Sequence, residues 1–594
     1  MKKVGLLLAF ILSFAISAPC GNVLVFERDL CLSLVGLSAV PRIDLELQTE
    51  MDRRDTDEKT KVVILLSEQS DATALLNEAS AYRTKQERRT YVIESLQQQA
   101  NDAQSNLLEL LETLQRQGLV DDIESYWLVN GISCMADPSV ISLLEQRRDV
   151  MTVYRVEEAP WIFEEEATPT SRGDGREIAQ NLLQVNAPEV WAQGYTGARV
   201  LIALIDTGVR LDHADLAGRL WDGGTEYPNH GYDFYYHDND PSDDRGHGTH
   251  VAGTICGTGA SGSQTGIAPE ATIMALKAFN NEGVGDETHW VAAMQFALEH
   301  GADLMNMSLG RPQPSAAQKL MMRQACDNTL AAGVVVTACA GNIRQMQFMV
   351  PVPNNIYTPG DCPPPHLHED QLVNTGGTSC VICVGAVDYD NHIAQFSSQG
   401  PSQWMDVAAY NDYPYSAGSA TEIGLIRPDI CAPGVQIKSL DYNTTNGYIL
   451  MDGTSMATPL VAGAIALMLS KEPDLTPAQI DEILERTAQP LTPHKSNDFG
   501  AGLLDALAAV NAVNYDDLAE SRHKATIYPN PSSNDFTVTF DGMLSVSVFT
   551  LEGRLLRTIE ASGHECHIES LSNGVYLLKI NTKDGVIVHK IVKM

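Results

Sequence analysis

Basic side chains are scarce in this chain. Its 594 residues hold 40 Lys and Arg against 76 Asp and Glu, a formal charge of -36, which repels phosphate backbones and anionic membrane surfaces at long range. Nucleic acid is therefore a poor partner. Long apolar runs are also lacking. Beyond the N-terminal segment nothing reaches the ~20 apolar residues needed to cross a ~30 Å hydrocarbon layer, so no permanent span is expected. Zinc signatures are missing too: there is no H-E-x-x-H, and the Cys380/Cys383 pair has no matching second pair, which counts against metallopeptidase and zinc-ribbon chemistry. What remains is 44% apolar and 20% charged residues, an ordinary globular composition spread over a length that requires several domains.

Lys2 and Lys3 precede an apolar run over residues 4–16 and small residues at Ser17 and Ala18, the order of a secretory signal. Residues 1–21 are assigned to it. Pro19 leaves the cleavage position open, and it also counts against a lipid-bearing Cys20. Eleven cysteines form an odd set, and most of them lie in apolar runs where a buried, unbridged thiol is expected. Cys362 and Cys380, flanking a Pro-rich insertion, are the one candidate disulfide.

Residues 61–67 read as a buried strand, 72–118 as a helix with a Leu107/Leu110/Leu111/Leu114 stripe, 126–135 as a strand, 138–147 as a helix capped by Asp137, and 150–156 as a strand. Together they form a small α+β unit. Residues 157–175 are acidic, Pro/Gly/Ser/Thr-containing and without period, as an exposed linker would be. From about 181 to 513, continuously apolar strands at 200–205, 272–277, 302–306, 334–339 and 380–384 alternate with helical segments, which indicates a parallel sheet covered on both faces. After 516, short alternating strands such as 536–540 and 575–580 close the chain as a small all-β domain.

Three segments of the large domain place a reactive side chain where strands end or helices begin: Asp206 in VLIALIDTGV, His247 in HGTHVAGT, and Ser455 in DGTSMATPLVAG. A serine hydroxyl is a weak nucleophile until a neutral imidazole takes its proton, and the imidazole needs a carboxylate to fix its tautomer. Alone, each residue has an ordinary reading as a turn former or cap. In the order Asp, His, Ser they form a set.

IDTGV, HGTHVAGT and GTSMATPLVAG resemble the active-site motifs of the subtilisin-like serine proteases. The resemblance implies a secreted, self-processing serine endopeptidase in which Asp206, His247 and Ser455 are catalytic. TACAGN resembles the oxyanion segment, so that Asn342 and the Ser455 amide would form the hole. MSLG and GVG resemble the two cleft edges, with Ser308, Leu309, Gly310 and Gly283, Val284, Gly285 pairing with an extended peptide. The α+β unit is similar to an inhibitory propeptide. Residues 527–594, from IYPNPSSNDFTVTF through GVYLLKI to KIVKM, resemble the C-terminal sorting domain of type IX secretion. The expected fold is thus a subtilisin-like parallel sheet flanked by helices, with an N-terminal α+β ferredoxin-like propeptide and a C-terminal all-β sandwich. The expected domains are signal 1–21, propeptide 22–157, linker 158–180, protease 181–515, and linker with sorting domain 516–594. Expected partners are protein or peptide substrates, the chain's own propeptide as inhibitor, and secretion machinery; the expected location is outside the cell or on its surface.

No cofactor is required by this chemistry. The acidic loop HDNDPSDD, residues 237–244, has the carboxylate density that suits a structural Ca²⁺, although a solvated charge run is the stronger reading. His250 is expected to be a structural histidine. The competing functions are a transpeptidase or macrocyclase, in which an amine intercepts the acyl-enzyme, and a silent peptide-binding protein, against which the intact residues count.

Overall fold

The computed structural model describes residues 42–53, 58–82, 84–163, 167–169, 177–363, 366–367, 377–378, 380–404, 407, 424–513, 526–528, 535–539, 543–550, 554–560, 565–582 and 586–593. The signal segment 1–21 lies outside these residues.

The N-terminal unit runs α1 (Leu45–Arg53), β1 (Thr60–Leu66), α2 (Ala72–Ala79), α3 (Lys85–Arg116), β2 (Val120–Tyr126), β3 (Gly131–Ala136), α4 (Pro138–Glu145) and β4 (Val150–Arg155). Its strands form one antiparallel sheet in the order β2-β3-β1-β4, a split β-α-β arrangement. Two expectations need correction. The helix expected over 72–118 is two helices, because Thr84 and Glu87 form a reciprocal capping box that starts α3 afresh. The single strand expected over 126–135 is a hairpin, turned at Trp127–Asn130 with Asn130 at φ 40°; the apolar run YWLV conceals the turn.

β5 (Ala159–Pro160) follows at once. The stretch read as an exposed linker is exposed only in part: Glu157, Glu158 and Pro160 face solvent, whereas Trp161 and Ile162 are buried, because an apolar Trp-Ile-Phe segment finds a cleft to occupy.

The large domain is built on seven strands: β6 (Leu201–Asp206), β7 (Gly231–Asp233), β8 (Thr272–Lys277), β10 (Leu304–Met307), β11 (Val335–Cys339), β12 (Val381–Val387) and β13 (Ile430–Pro433). The short β9 (Val284–Gly285) stands apart from them. The order is β13-β12-β11-β10-β6-β8-β7, and every pairing is parallel. The helices that concern the site are α5 (His247–Cys256), α6 (Glu287–Glu299), α7 (Ala316–Ala331) and α8 (Thr454–Lys471). Two apolar cores cover the sheet, one containing α5 and α8, the other α6, α7 and the buried face of the N-terminal unit. Among the described residues α8 is the one helix long and apolar enough to cross a membrane, and 89% of that window is buried inside the fold.

Cys362 and Cys380 are both buried and unbridged, which corrects the candidate disulfide. Cys380 Sγ instead donates to the Pro363 carbonyl (3.3 Å), and Cys362 faces Cys326 on α7. The C-terminal region folds as a three-stranded and a four-stranded antiparallel sheet. Phe536, Val538 and Ile568 from the first and Val546, Val548 and Leu578 from the second share one core, as two packed sheets require.

Candidate active site

Neighbours of β6 in the sheet are β10 on one side and β8 on the other, so the strand order reverses there and a crevice opens at the carboxyl ends of the strands. Asp206 is the last residue of β6. Its Oδ1 lies 2.7 Å from His247 Nδ1 and also accepts the Thr207 N–H (2.7 Å). Asp206, His247 and Ser455 are 0%, 2% and 5% exposed, so bulk water does not screen the pair.

His247 opens α5, and the helix start is held from outside itself. Gly246, at φ 106°, offers no capping side chain. Asp243 takes over: its carboxylate accepts the N–H groups of Arg245 (3.0 Å), Gly246 (2.9 Å) and Thr249 (2.9 Å), and the hydroxyls of Thr207 (2.9 Å) and Thr249 (2.5 Å). One carboxylate thus ties the residue after Asp206 to the helix that carries His247. Gly248 permits their close approach, since a Cβ there would stand 2.1 Å from the Gly208 carbonyl oxygen. Lys277, beside Asp206 in the parallel register, is buried and donates to the carbonyls of Thr207 (2.9 Å) and Phe279 (2.7 Å) and to Asp244 (2.7 Å).

The acidic loop is therefore not a free charge run: Asp243 and Asp244 are spent on the protein itself. Among the described residues no group of three or more His, Cys, Asp or Glu is arranged to hold a metal ion. Replacing Asp243 with asparagine would turn an amide donor toward the Thr249 donors. The expected result is a fall in kcat of about tenfold to 10²-fold with KM nearly unchanged, and a loss of about 1–3 kcal/mol in stability. Steady-state kinetics beside a denaturant melt check this; unchanged kcat in the destabilised variant would reduce Asp243 to scaffold.

His250, one turn along α5, is fully buried with Nε2 2.9 Å from the Ile437 carbonyl. Burial pulls its pKa down to about 3, which keeps the ring neutral.

Ser455 lies in the first turn of α8, which packs along α5. Pro459, four residues on, has no N–H to give the Ser455 carbonyl. Ser308 Oγ supplies the missing donor (2.9 Å), and Ser455 Oγ donates in return to the Ser308 carbonyl (3.3 Å). Asn306 Nδ2 steadies Ser308 Oγ (3.1 Å). Ser308 was expected to line the cleft; its side chain also latches the helix that carries Ser455. Asn342 Oδ1 accepts the Thr454 N–H and hydroxyl (both 2.9 Å), which seats the amide beside Ser455 and leaves Nδ2 as its donor group. Gly341 precedes it at φ 105°, and a Cβ there would stand 2.6 Å from the Tyr357 ring.

The two expected cleft edges face a common segment. Val284 and Gly285 pair antiparallel with Pro160 and Ala159, the Gly283 carbonyl accepts the N–H groups of Trp161 (3.0 Å) and Ile162 (3.3 Å), and the Gly310 N–H donates to the Trp161 carbonyl (3.1 Å). Asp243, Arg245, Lys277, Tyr357 and the Trp161–Phe163 segment are the neighbours of the site that sequence reasoning missed.

Comparison with known proteins agrees with this geometry. Residues 197–502 match the subtilase family, and residues 526–594 match the secretion system C-terminal sorting domain. The sorting domain marks a product of type IX secretion, placed outside the cell or on its surface. Subtilisin DY of Bacillus licheniformis is 34% identical over 327 residues, covering 55% of this chain and 96% of that protein. Serine protease AprX of Bacillus subtilis (strain 168) is 29% identical over 411 residues, 64% of this chain and 78% of that protein. Bacillopeptidase F of the same strain is 31% identical over 465 residues, 73% of this chain, although the chain spans only 29% of its length. A buried Asp–His pair at the switch point of a parallel sheet, a serine on the central helix and a family match across that whole domain lead to one assignment: the chain belongs to the subtilase family of serine endopeptidases.

Proposed function

We propose that Asp206, His247 and Ser455 form the catalytic triad of a secreted endopeptidase made as a self-processing zymogen. The 2.7 Å contact between Asp206 Oδ1 and His247 Nδ1 carries the reading. It commits Nδ1–H to the carboxylate, so Nε2 is the nitrogen that takes the Ser455 proton. Ser455 Oγ then bonds to the substrate's carbonyl carbon. The charge that develops on the carbonyl oxygen is met by Asn342 Nδ2 and the Ser455 N–H at the positive end of α8. His247 returns its proton to the leaving amine, and a water molecule, deprotonated by the same nitrogen, releases the acyl group.

The N-terminal unit is read as inhibitor and folding aid because it docks on α6 and α7 through polar contacts that a merely tethered domain would not need. Lys61 pairs with Asp286 (2.7 Å) and Lys85 with Asp303 (3.0 Å), while Asn328 Nδ2 donates to the Leu128 carbonyl (2.6 Å). Beyond β4 the chain continues into β5, which lies along the cleft edge. Labelling with a fluorophosphonate tests the catalytic reading: the protein freed of its N-terminal unit should carry the label on Ser455, and absence of label there would overturn it.

A further inference from the structure

The segment between the N-terminal unit and the large domain reports what the cleft selects. Pro160 and Ala159 pair with Val284 and Gly285, and Trp161 is held from both sides, by the Gly283 carbonyl and the Gly310 N–H. Past that anchor the chain heads into the catalytic groups. The Ile162 carbonyl lies 3.5 Å from the Arg245 guanidinium, two residues before His247. Phe163 places its ring 5.3 Å from that of Tyr357, against Ile343, the residue after Asn342. The segment thus runs between Arg245, two residues before His247, and Ile343, the residue after Asn342.

Side-chain burial along the segment is uneven. Phe163 sits in a small apolar pocket formed with Cys339, Ile343, Val350 and Tyr357. Trp161 is 1% exposed and meets Trp290 of α6 edge-on, with ring centroids 6.0 Å apart. Trp161 and Ile162 are therefore enclosed, and Phe163 is half-buried against its pocket. A cleft that recognised only the peptide backbone would have no reason to bury a tryptophan two positions upstream.

We propose that Trp161-Ile162-Phe163 is the enzyme's first substrate, cut on the C-terminal side of Phe163, and that the mature enzyme selects peptides with an aromatic residue at the cut and a second aromatic two residues before it. The inference rests on the triad reading above. Ser455 Oγ bonds to the Phe163 carbonyl carbon and passes its proton to His247. The C–N bond to the next residue breaks, and its nitrogen takes that proton. Water then hydrolyses the ester, leaving a carboxylate on Phe163. Water is the only co-reactant consumed, and no oxidant takes part.

The full chain, denatured soon after it is made and digested with trypsin, is the material for the test. Trypsin cuts after Arg155, so the expected product is the peptide Val-Glu-Glu-Ala-Pro-Trp-Ile-Phe, ending at Phe163. A processed chain whose semi-tryptic end falls elsewhere overturns the bond assignment while leaving the triad reading intact. The Ser455→Ala chain should lack the peptide; its presence there would instead overturn self-processing. Three peptides that carry Trp-Ile-Phe, Ala-Ile-Phe or Trp-Ile-Ala before the cut are then given to the mature enzyme. Each alanine should lower kcat/KM by about tenfold or more, the effect of emptying a buried apolar pocket. Equal rates for Trp-Ile-Phe and Ala-Ile-Phe would overturn the selection of a second aromatic.

Discussion

Ser455→Ala is expected to abolish turnover, to about 10⁶-fold below the natural enzyme, and to leave the chain uncut at its own cleft. The magnitude is that of subtilisin, a relative, where removing the serine alone costs about as much as removing the whole triad. The physical reason is the absence of any substitute. Ser308 Oγ, the nearest hydroxyl in the bonding pattern, is committed to the Ser455 carbonyl, which the alanine variant keeps. The variant should therefore fold, retain the latch on α8 and hold the N-terminal unit in place. Gel analysis of the purified variant, with the natural chain beside it, reads the result: full-length material persists in one and is lost in the other. A variant that matured at the natural rate in isolation would show that another protease does the cutting.

Asp206→Asn is expected to lower kcat by about 10⁴-fold with a much smaller effect on KM. In the native site Asp206 Oδ1 accepts from both His247 Nδ1 and the Thr207 N–H. Asparagine keeps both donors only with its amide oxygen in the Oδ1 position, and if its amide nitrogen turns to His247 the ring must present Nδ1 as acceptor. The proton then moves to Nε2, where the base is needed, and the imidazolium loses its neighbouring negative charge. The burial of the pair sharpens the effect, because no solvent replaces the lost carboxylate. Single-turnover measurements separate this from a binding defect; a fall confined to KM would assign Asp206 to the scaffold.

Much of this arrangement is legible in the amino-acid order, and the parts that are not have identifiable causes. β6, β8, β10, β11 and β12 announce themselves because a strand covered on both faces must be apolar throughout. β7 does not, since three residues of mixed polarity carry no period, and it is known only by its parallel pairing with β8. Asp206, His247 and Ser455 are conspicuous because each stands in a motif. Asp243 is hidden by its surroundings: three more carboxylates within HDNDPSDD give the loop the look of a solvated run, whereas its bonds to Thr207 and Thr249 are not visible in the run itself. Trp161 and Phe163 are obscured in the same manner by acidic and Pro-containing flanks, and their partners Trp290 and Tyr357 lie far along the sequence. The turn at Trp127–Asn130 is lost for the opposite reason, because it is too apolar to look like a turn.

The placement of Ser455 on a helix sealed within the interior separates what this protein can change from what it cannot. Residues of α8 contact the core on nearly all sides, so altering them threatens folding itself, and the chemistry they support is effectively frozen. Val284 on one cleft edge and Val350 beside Phe163 are only half-buried, outside that constraint. New substrate tastes can therefore arise by drift at such positions, with the reaction inherited unchanged beneath them.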